Sequence, residues 1–417
     1  MNKWFSFSNF GAPQFTNSFG ALINVLDACL VDGYGNQDVT SIEVADGMAI
    51  AKFENSHLLK QFQVVEISGA ADSSLNGEYR ILGLTADTIE FSVNAADQIA
   101  TGSISCKVAS LGWTKVFSGD QKAVYRAKDI AANPYYLRVD NSRDPVYNEN
   151  YAKFAKVGIL EGCSHIDDFS ANQVPYDVSN QNKNWVGTGS GTSAVNGWAK
   201  WYHAISEYGG SSQINETSAP SSTENGEWTI VGSDDSFYLM SMPIRNGAIE
   251  SNKITATYTY GFGVTEKKGF RVPFLLAHLR NVAVNSSEFF FNSNPLRYGW
   301  AQSTVTMTTN NGAYSQDLAA WPQYYLPTRN TSITTMLSGT GAGVFANPEP
   351  GIYFSKVMLH SNSNAYLGAF PILYSMQTSY LNHPDNHTFT EDGECYLIKR
   401  VAQANSVGAF IFSLGEL

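Results

Sequence analysis

The chain has 417 residues, of which 43% are hydrophobic, 13% aromatic and only 15% charged, and it carries a formal net charge of −11 at pH 7. That length can hold a large core and sets a prior of two or three domains. The acidic field argues against nucleic acid as a partner, and no uncharged stretch approaches the ~20 residues that would cross a bilayer, so no membrane is expected.

The first organised stretch is 11–35, GAPQFTNSFGALINVLDACLVDGYG. Phe19, Leu22, Ile23, Leu26, Cys29 and Leu30 recur at three- and four-residue steps, which places them on one face of a helix. Asn17 and Ser18 are suited to accept from the free amides of its first turn, and Gly33 and Gly35 to close it with positive φ. Such a helix must bury its face, and we expect it packed on, or plugging, the β unit that follows.

Residues 40–110 read as that unit. GMAIAKF sets Met48, Ile50 and Lys52 on one side, FQVVEISG sets Val65 and Ile67 together, TIEFSV alternates Ile89, Phe91 and Val93, and SISCKV alternates Ile104, Cys106 and Val108. Asn76-Gly77 reads as a two-residue hairpin turn. Short strands at roughly ten-residue spacing predict a barrel or sandwich of about five strands. GWTKVFSGDQKAVYRA adds a hairpin with Gly119-Asp120 at its tip, YYLRVD a further strand, and DNSRDPVYNEN a turn-rich bridge that sets a domain boundary near 145.

Beyond it, 151–166 is open between strand and short helix. Residues 167–226 are polar and turn-rich and are expected to form an arm or long loop. EWTIVG, SFYLMSM and KITATYTYGFGV restore the strand pattern, and ECYLIKRV and VGAFIFSL read as closing strands. The expected fold class is all-β: a small helix-capped β-barrel or sandwich over 1–145, then a larger antiparallel β-sandwich-like region over 146–417 with the polar arm near 167–226.

Candidate chemistry is sparse. The four cysteines, Cys29, Cys106, Cys163 and Cys395, form no CxxC pair and are expected as reduced thiols. MNKWFSFSNFGAPQ lacks a charged start followed by an apolar core, so no export signal is expected. His383-Pro384-Asp385-Asn386-His387 has zinc-type ligands, but a proline-bearing turn does not fix them on one face. Asp167-Asp168 and Asp234-Asp235 are acid pairs, yet neighbours on a strand point to opposite faces and do not build a glycosidase site. GTGSGTSAVNG lacks the Lys-Ser/Thr ending of a phosphate loop, and Ser164-His165 beside Asp167 has no nucleophile elbow. No catalytic residue, cofactor or metal is expected. The aromatic set Trp185, Trp198, Trp201, Tyr202 and Tyr208 lies in polar surroundings and is open between a subunit interface, a buried satellite core and a glycan contact.

GAPQFTNSFGALINVLDACLVDGYG, TSIEV, VVEISGAADSSLNGEYRI, GWTKVFSGDQKAVYRA and YLRVD, followed by WAKWYHA, EWTIVGSDDSFYLM and TYGFGV, resemble a group of tailed-bacteriophage virion structural proteins, the minor tail or uncharacterised structural proteins. The resemblance is strongest over the first 140 residues and stops by about 270. It implies a virion protein made in the host bacterial cytoplasm and placed in tail, collar or baseplate. Its implied partners are copies of itself, as a ring or trimer, and other tail or head proteins. Phe19, Leu22, Leu26, Trp185, Trp198, Trp201 and Tyr202 are the candidate interface residues. The alternatives are host attachment through a surface glycan, as a tail-fibre or spike component, then capsid decoration or polysaccharide hydrolysis.

Overall fold

A computed structural model describes residues 1–170, 173–175, 182–190, 199–205, 208–209, 213–214, 220, 223–242, 257–266, 269, 271–279, 304–306, 321–324, 352–360, 366–376, 383–403 and 406–417. The fold is all-β. Among the described residues one helix of 12 residues stands against four large antiparallel sheets.

Eight strands make a half-barrel. Their order is Gly77–Arg80, Val64–Ala70, Gly102–Val108, Tyr34–Ala45, Met48–Phe53, Thr88–Ser92 and Gly83–Leu84, with Gln98–Ile99 beside Tyr34–Ala45. Val65, Ile67, Ile89, Phe91, Ile104, Cys106 and Val108 point inward, as their alternation requires. The Asn76-Gly77 turn differs from expectation. A 3₁₀ turn, Ser73–Leu75, makes the reversal, and Asn76 is extended. Its amide exchanges bonds with Ala70, donating to the carbonyl at 2.9 Å and accepting from the N–H at 3.0 Å, so the side chain acts as a missing strand partner.

The helix is α over Ala21–Leu26 and widens to π over Asp27–Asp32. Eight of its side chains, Ala21, Leu22, Ile23, Val25, Leu26, Ala28, Cys29 and Leu30, are buried, so it is a hub rather than a surface cap. Its ends are completed from elsewhere in the chain. Asn17 and Ser18 do not cap it; Gly20 is the N-cap at φ 87°, and Asn141 Oδ1 accepts from Gly20 N at 2.8 Å and Leu22 N at 3.1 Å. At the other end the carbonyls of Cys29 and Leu30 accept from Leu111 N and Trp113 N, that of Val31 from Ser110 Oγ, and that of Asp32 from Lys107 Nζ. Gly33 turns away at φ 73°, and a Cβ there would stand 2.5 Å from Val108 O, so only glycine fits.

A bridging sheet follows, ordered Thr114–Gly119, Lys122–Arg126, Tyr136–Asp140, Lys153–Leu160, Ala199–Ala204 and His278–Leu279, with Gln173–Val174 on the fourth strand. Position 145 falls in the connection between Tyr136–Asp140 and Lys153–Leu160, which are hydrogen-bonded neighbours, so the ladder continues across it. Within 151–166 the segment Lys153–Leu160 is a strand, and the hairpin tip is Asp120-Gln121, one residue beyond expectation.

The central sheet is ordered Lys3–Ser6, Glu227–Gly232, Phe237–Met242, Tyr258–Val264, Pro273–Leu276 and Thr304–Thr306. Successive residues serve different cores. Phe5, Trp228, Ile230, Phe237, Leu239, Tyr260, Phe262 and Leu275 face the helix, half-barrel and bridging sheet. Trp4, Val231, Tyr238, Met240, Phe274 and Leu276 face the C-terminal sheet, where Val357, Phe370, Leu373, Leu397, Phe410, Phe412 and Leu414 meet them. Burial on both faces explains the unbroken apolar runs of SFYLMSM and TYTYGFGV. The C-terminal sheet is ordered Trp321–Tyr324, Phe354–His360, Tyr366–Met376, Ser406–Glu416, Glu394–Gln403 and His387–Glu391.

Candidate assembly surface

Of the seven candidate interface residues, five are interior to one subunit. Leu22 and Leu26 sit in the main core at 1% and 0% exposure. Trp201 stacks on Tyr260 at 5.8 Å between centroids and donates Nε1–H to Leu276 O at 2.7 Å. The Tyr202 backbone N–H donates to the same Tyr260 hydroxyl at 2.9 Å, and its ring is buried. Trp185 lies on the outer face of the bridging sheet, stacked on Phe169 at 5.8 Å and donating to Gln173 Oε1 at 2.7 Å. Phe19 is half-buried beneath the Lys153 ammonium, 5.1 Å from its ring. Trp198 and the Tyr208 side chain lie outside the described residues. The interface reading of these five is therefore corrected: ring-to-ring packing and indole donors aimed at buried carbonyls use them up inside the chain. A buried ring cannot stack on a sugar either.

The acid pairs are equally committed. Asp167 accepts from Arg138 Nη2 at 2.8 Å and Lys122 Nζ at 3.0 Å. Asp168 instead closes a turn, accepting from the backbone and hydroxyl groups of Ser164 and Ser170, and these bonds hold its carboxyl well below the usual range. Ser164 thus bonds Asp168 and not His165. Asp234-Asp235 forms the turn between two central strands, with Asp235 held by Ser233 Oγ at 2.8 Å and Arg271 at 3.2 Å. Gly187 N donates to Asp144 Oδ2 at 2.8 Å, and a carboxylate against this glycine is the opposite of a phosphate cradle. Residues 191–197 of that stretch are outside the described set.

His383 and His387 have ring centroids 5.3 Å apart. The carboxylate between them accepts from Lys399 Nζ at 2.5 Å and Arg400 N at 2.8 Å, so it serves a lysine and leaves little charge for a dication. Among the described residues no group of three or more His, Cys, Asp or Glu is placed to hold a metal. Burial pushes the Cys29 thiol up, and the Cys106 thiol up to about 12, which makes both inert hydrophobes.

One ionic feature escaped the sequence reading. Arg138 and Asp140 share a face of Tyr136–Asp140, opposite Leu137 and Val139. Lys156, the cross-strand partner of Asp140, joins Asp140 at 3.3 Å and Asp144 at 3.5 Å and donates to Trp185 O at 2.7 Å. The Arg138 guanidinium lies 4.3 Å from the Trp185 ring and 4.7 Å from Phe169. Gly158 makes room for the indole, since a Cβ there would stand 2.7 Å from it. The signal was present as two opposite charges two apart in a strand.

Among the described residues, one open apolar face is the outer wall of the half-barrel. In Met48–Phe53 the small residues Ala49 and Ala51 point inward with Phe53, while Met48 (37% exposed) and Ile50 (44%) point out with Lys52. Ile50 pairs with Glu43, which pairs in turn with Ile99, 72% exposed, so all three lie on the outward face. Glu90, opposite Ile50 on the next strand, continues the row. Met48 and Lys52 were correctly grouped with Ile50 in the sequence; the group faces solvent. Three large apolar side chains are interleaved there with Glu43, Glu90 and Lys52.

No protein-family model matches the chain, and no curated protein matches it.

Proposed function

We propose that the chain is a structural subunit of a tailed-phage virion, placed in tail, collar or baseplate, and that it acts by assembling with copies of itself in a ring or trimer and with neighbouring virion proteins. The observation that carries this reading is the apolar row Met48, Ile50 and Ile99 on the outer half-barrel wall. A folded chain with its own interior cores does not need to expose such side chains in register; a chain that is later covered does. The N-terminal segments that resemble virion structural proteins build this same half-barrel and its helix, which supports it as the assembly end. The committed state of Asp167, Asp168, Asp235 and Asp385 agrees with a role by contact rather than turnover. The test is quantitative mass spectrometry of purified particles. A fixed copy number matching a ring or trimer is expected; absence of the chain from particles contradicts the proposal.

A further inference from the structure

The loop 54–63 joins the half-barrel strands Met48–Phe53 and Val64–Ala70 and is held by two hooks of different chemistry. At its far end Asn9 and Gln63 exchange amide bonds, Asn9 Nδ2 donating to Gln63 Oε1 at 2.9 Å and Gln63 Nε2 to Asn9 Oδ1 at 2.8 Å, and Gln63 Oε1 also accepts from Lys60 N at 2.9 Å. Side-chain amides do not titrate in the neutral and mildly acidic range. At the near end the hook is His57, 1% exposed. Leu59 N donates to His57 Nδ1 at 2.9 Å, and His57 Nε2 lies 3.1 Å from Thr88 O. An amide N–H only donates and a carbonyl only accepts, so Nδ1 is bare, Nε2 carries the hydrogen and the ring is neutral. A second proton would set Nδ1–H against Leu59 N–H. Between the hooks Leu58 stands in the left-handed region at φ 53° with its side chain 47% exposed. Its carbonyl accepts from Nδ2 of Asn9, the residue before the equally exposed Phe10.

We propose that His57 is an acid-released clasp on this loop. Neutral, it holds Leu59 N–H and fixes the display of Leu58; protonated, it lets go, and the near end of the loop opens while the Asn9–Gln63 pair keeps the far end in place.

The groups around the ring come from several elements. Phe53 packs on it at 5.1 Å between centroids, and Gln37 Nε2 donates to the His57 carbonyl at 3.1 Å. The turn before Thr88–Ser92 brings Asp87, whose carboxylate accepts from Thr85 Oγ1 at 3.0 Å, and the loop itself brings Lys60. Burial lowers the imidazole below its ordinary range; the carbonyl of Thr88 and the charge of Asp87 work against that, and Lys60 adds to it. Asp38, Lys52, Glu54 and Glu90 on the adjoining segments are exposed. With the closed-state pKa depressed, the opened loop binds the proton more readily, so the clasp is shut above about pH 6.5 and loosens as the pH falls.

The test is amide hydrogen exchange in the full chain, corrected for intrinsic rates. The His57 and Leu59 amides, bonded to Ala86 O and His57 Nδ1, report the near end. Those of Phe62 and Ile81, bonded to Ile81 O and Gln63 O, report the far end. An ordinary imidazole in the opened loop predicts near-end opening that rises several-fold from about pH 7.5 to about pH 5.5, with about tenfold as the ceiling, and a flat far end. His57→Asn puts Oδ1 where Nδ1 accepts and does not titrate, so its near end is expected to be flat. Asp87→Asn removes the nearby acid and is expected to keep the rise. Long-range nitrogen NMR of the wild type at about pH 7.5 is expected to show a bare Nδ1. A flat wild-type near end, a far end that rises equally, a rise that survives His57→Asn or vanishes in Asp87→Asn, or a protonated Nδ1 each overturns the clasp.

Discussion

The central sheet and the half-barrel are built from similar strand sequences and end in opposite conditions. The strands Lys3–Ser6, Glu227–Gly232, Phe237–Met242, Tyr258–Val264 and Pro273–Leu276 of the central sheet bury both faces, so Tyr238 and Leu239, adjacent in sequence, both vanish into cores. The half-barrel is covered on one face only. Its inward positions 49 and 51 are the small alanines, and the larger Met48 and Ile50 are left outside. Hydrophobic alternation therefore reports which residues share a face, and the amount of cover on each face decides which is inside. Covered twice, a sheet is a stability element; covered once with apolar residues outward, it presents the face we propose for assembly.

Breaking the doubly covered side should cost most. Trp201→Ala removes a fully buried indole and orphans the Leu276 carbonyl, for which we expect a loss of about 3–5 kcal/mol in denaturant unfolding. Leu26→Ala, in the helix that serves both regions, should cost about 2–5 kcal/mol by the same measurement, and a value near zero would mean the helix is not the shared hub.

Acid sharpens the contrast further. Burial pushes His278 down to about 3, its Nδ1 lying 3.1 Å from the Tyr260 hydroxyl, and burial lowers His57 as well. With a folded pKa below the ordinary value near 6.5, the unfolded chain binds more protons in between. Stability is then full above about pH 6.5 and is lost as the pH falls toward about 3. His278→Gln should flatten this part of the acid limb in unfolding titrations, whereas a variant limb as steep as wild type would assign the loss elsewhere.

The smallest expected effect on stability belongs to the singly covered wall. Ile50→Glu should change unfolding by no more than about 0.5 kcal/mol, as for other exposed positions, while lowering self-association in analytical ultracentrifugation. A large loss of stability, with association intact, would make Ile50 a packing residue instead.

Much of this was legible in the sequence and some was not, for local reasons. Inward residues such as Ile89, Phe91, Ile104 and Cys106 follow period two, and Gly33 and Gly35 mark the helix end through their positive φ. The N-cap was illegible because its acceptor, Asn141, comes from a residue 119 positions away. The continuity of the ladder across 145 was hidden by DNSRDPVYNEN, a turn whose composition is that of a linker while its flanks pair directly. The tryptophans at 185 and 201 sit in polar sequence, yet the neighbours that bury them, Arg138, Phe169, Tyr260 and Leu276, arrive from other segments. A polar local sequence thus says little about burial when the covering groups are distant.

The central claim is that the outer half-barrel wall exists to be covered in a particle. Electron cryo-microscopy of purified virions tests this directly, by locating the chain and what lies on Met48, Ile50 and Ile99. The account predicts these three side chains buried against a second copy or a neighbouring tail protein. Finding the chain in place with that wall facing open solvent would contradict it.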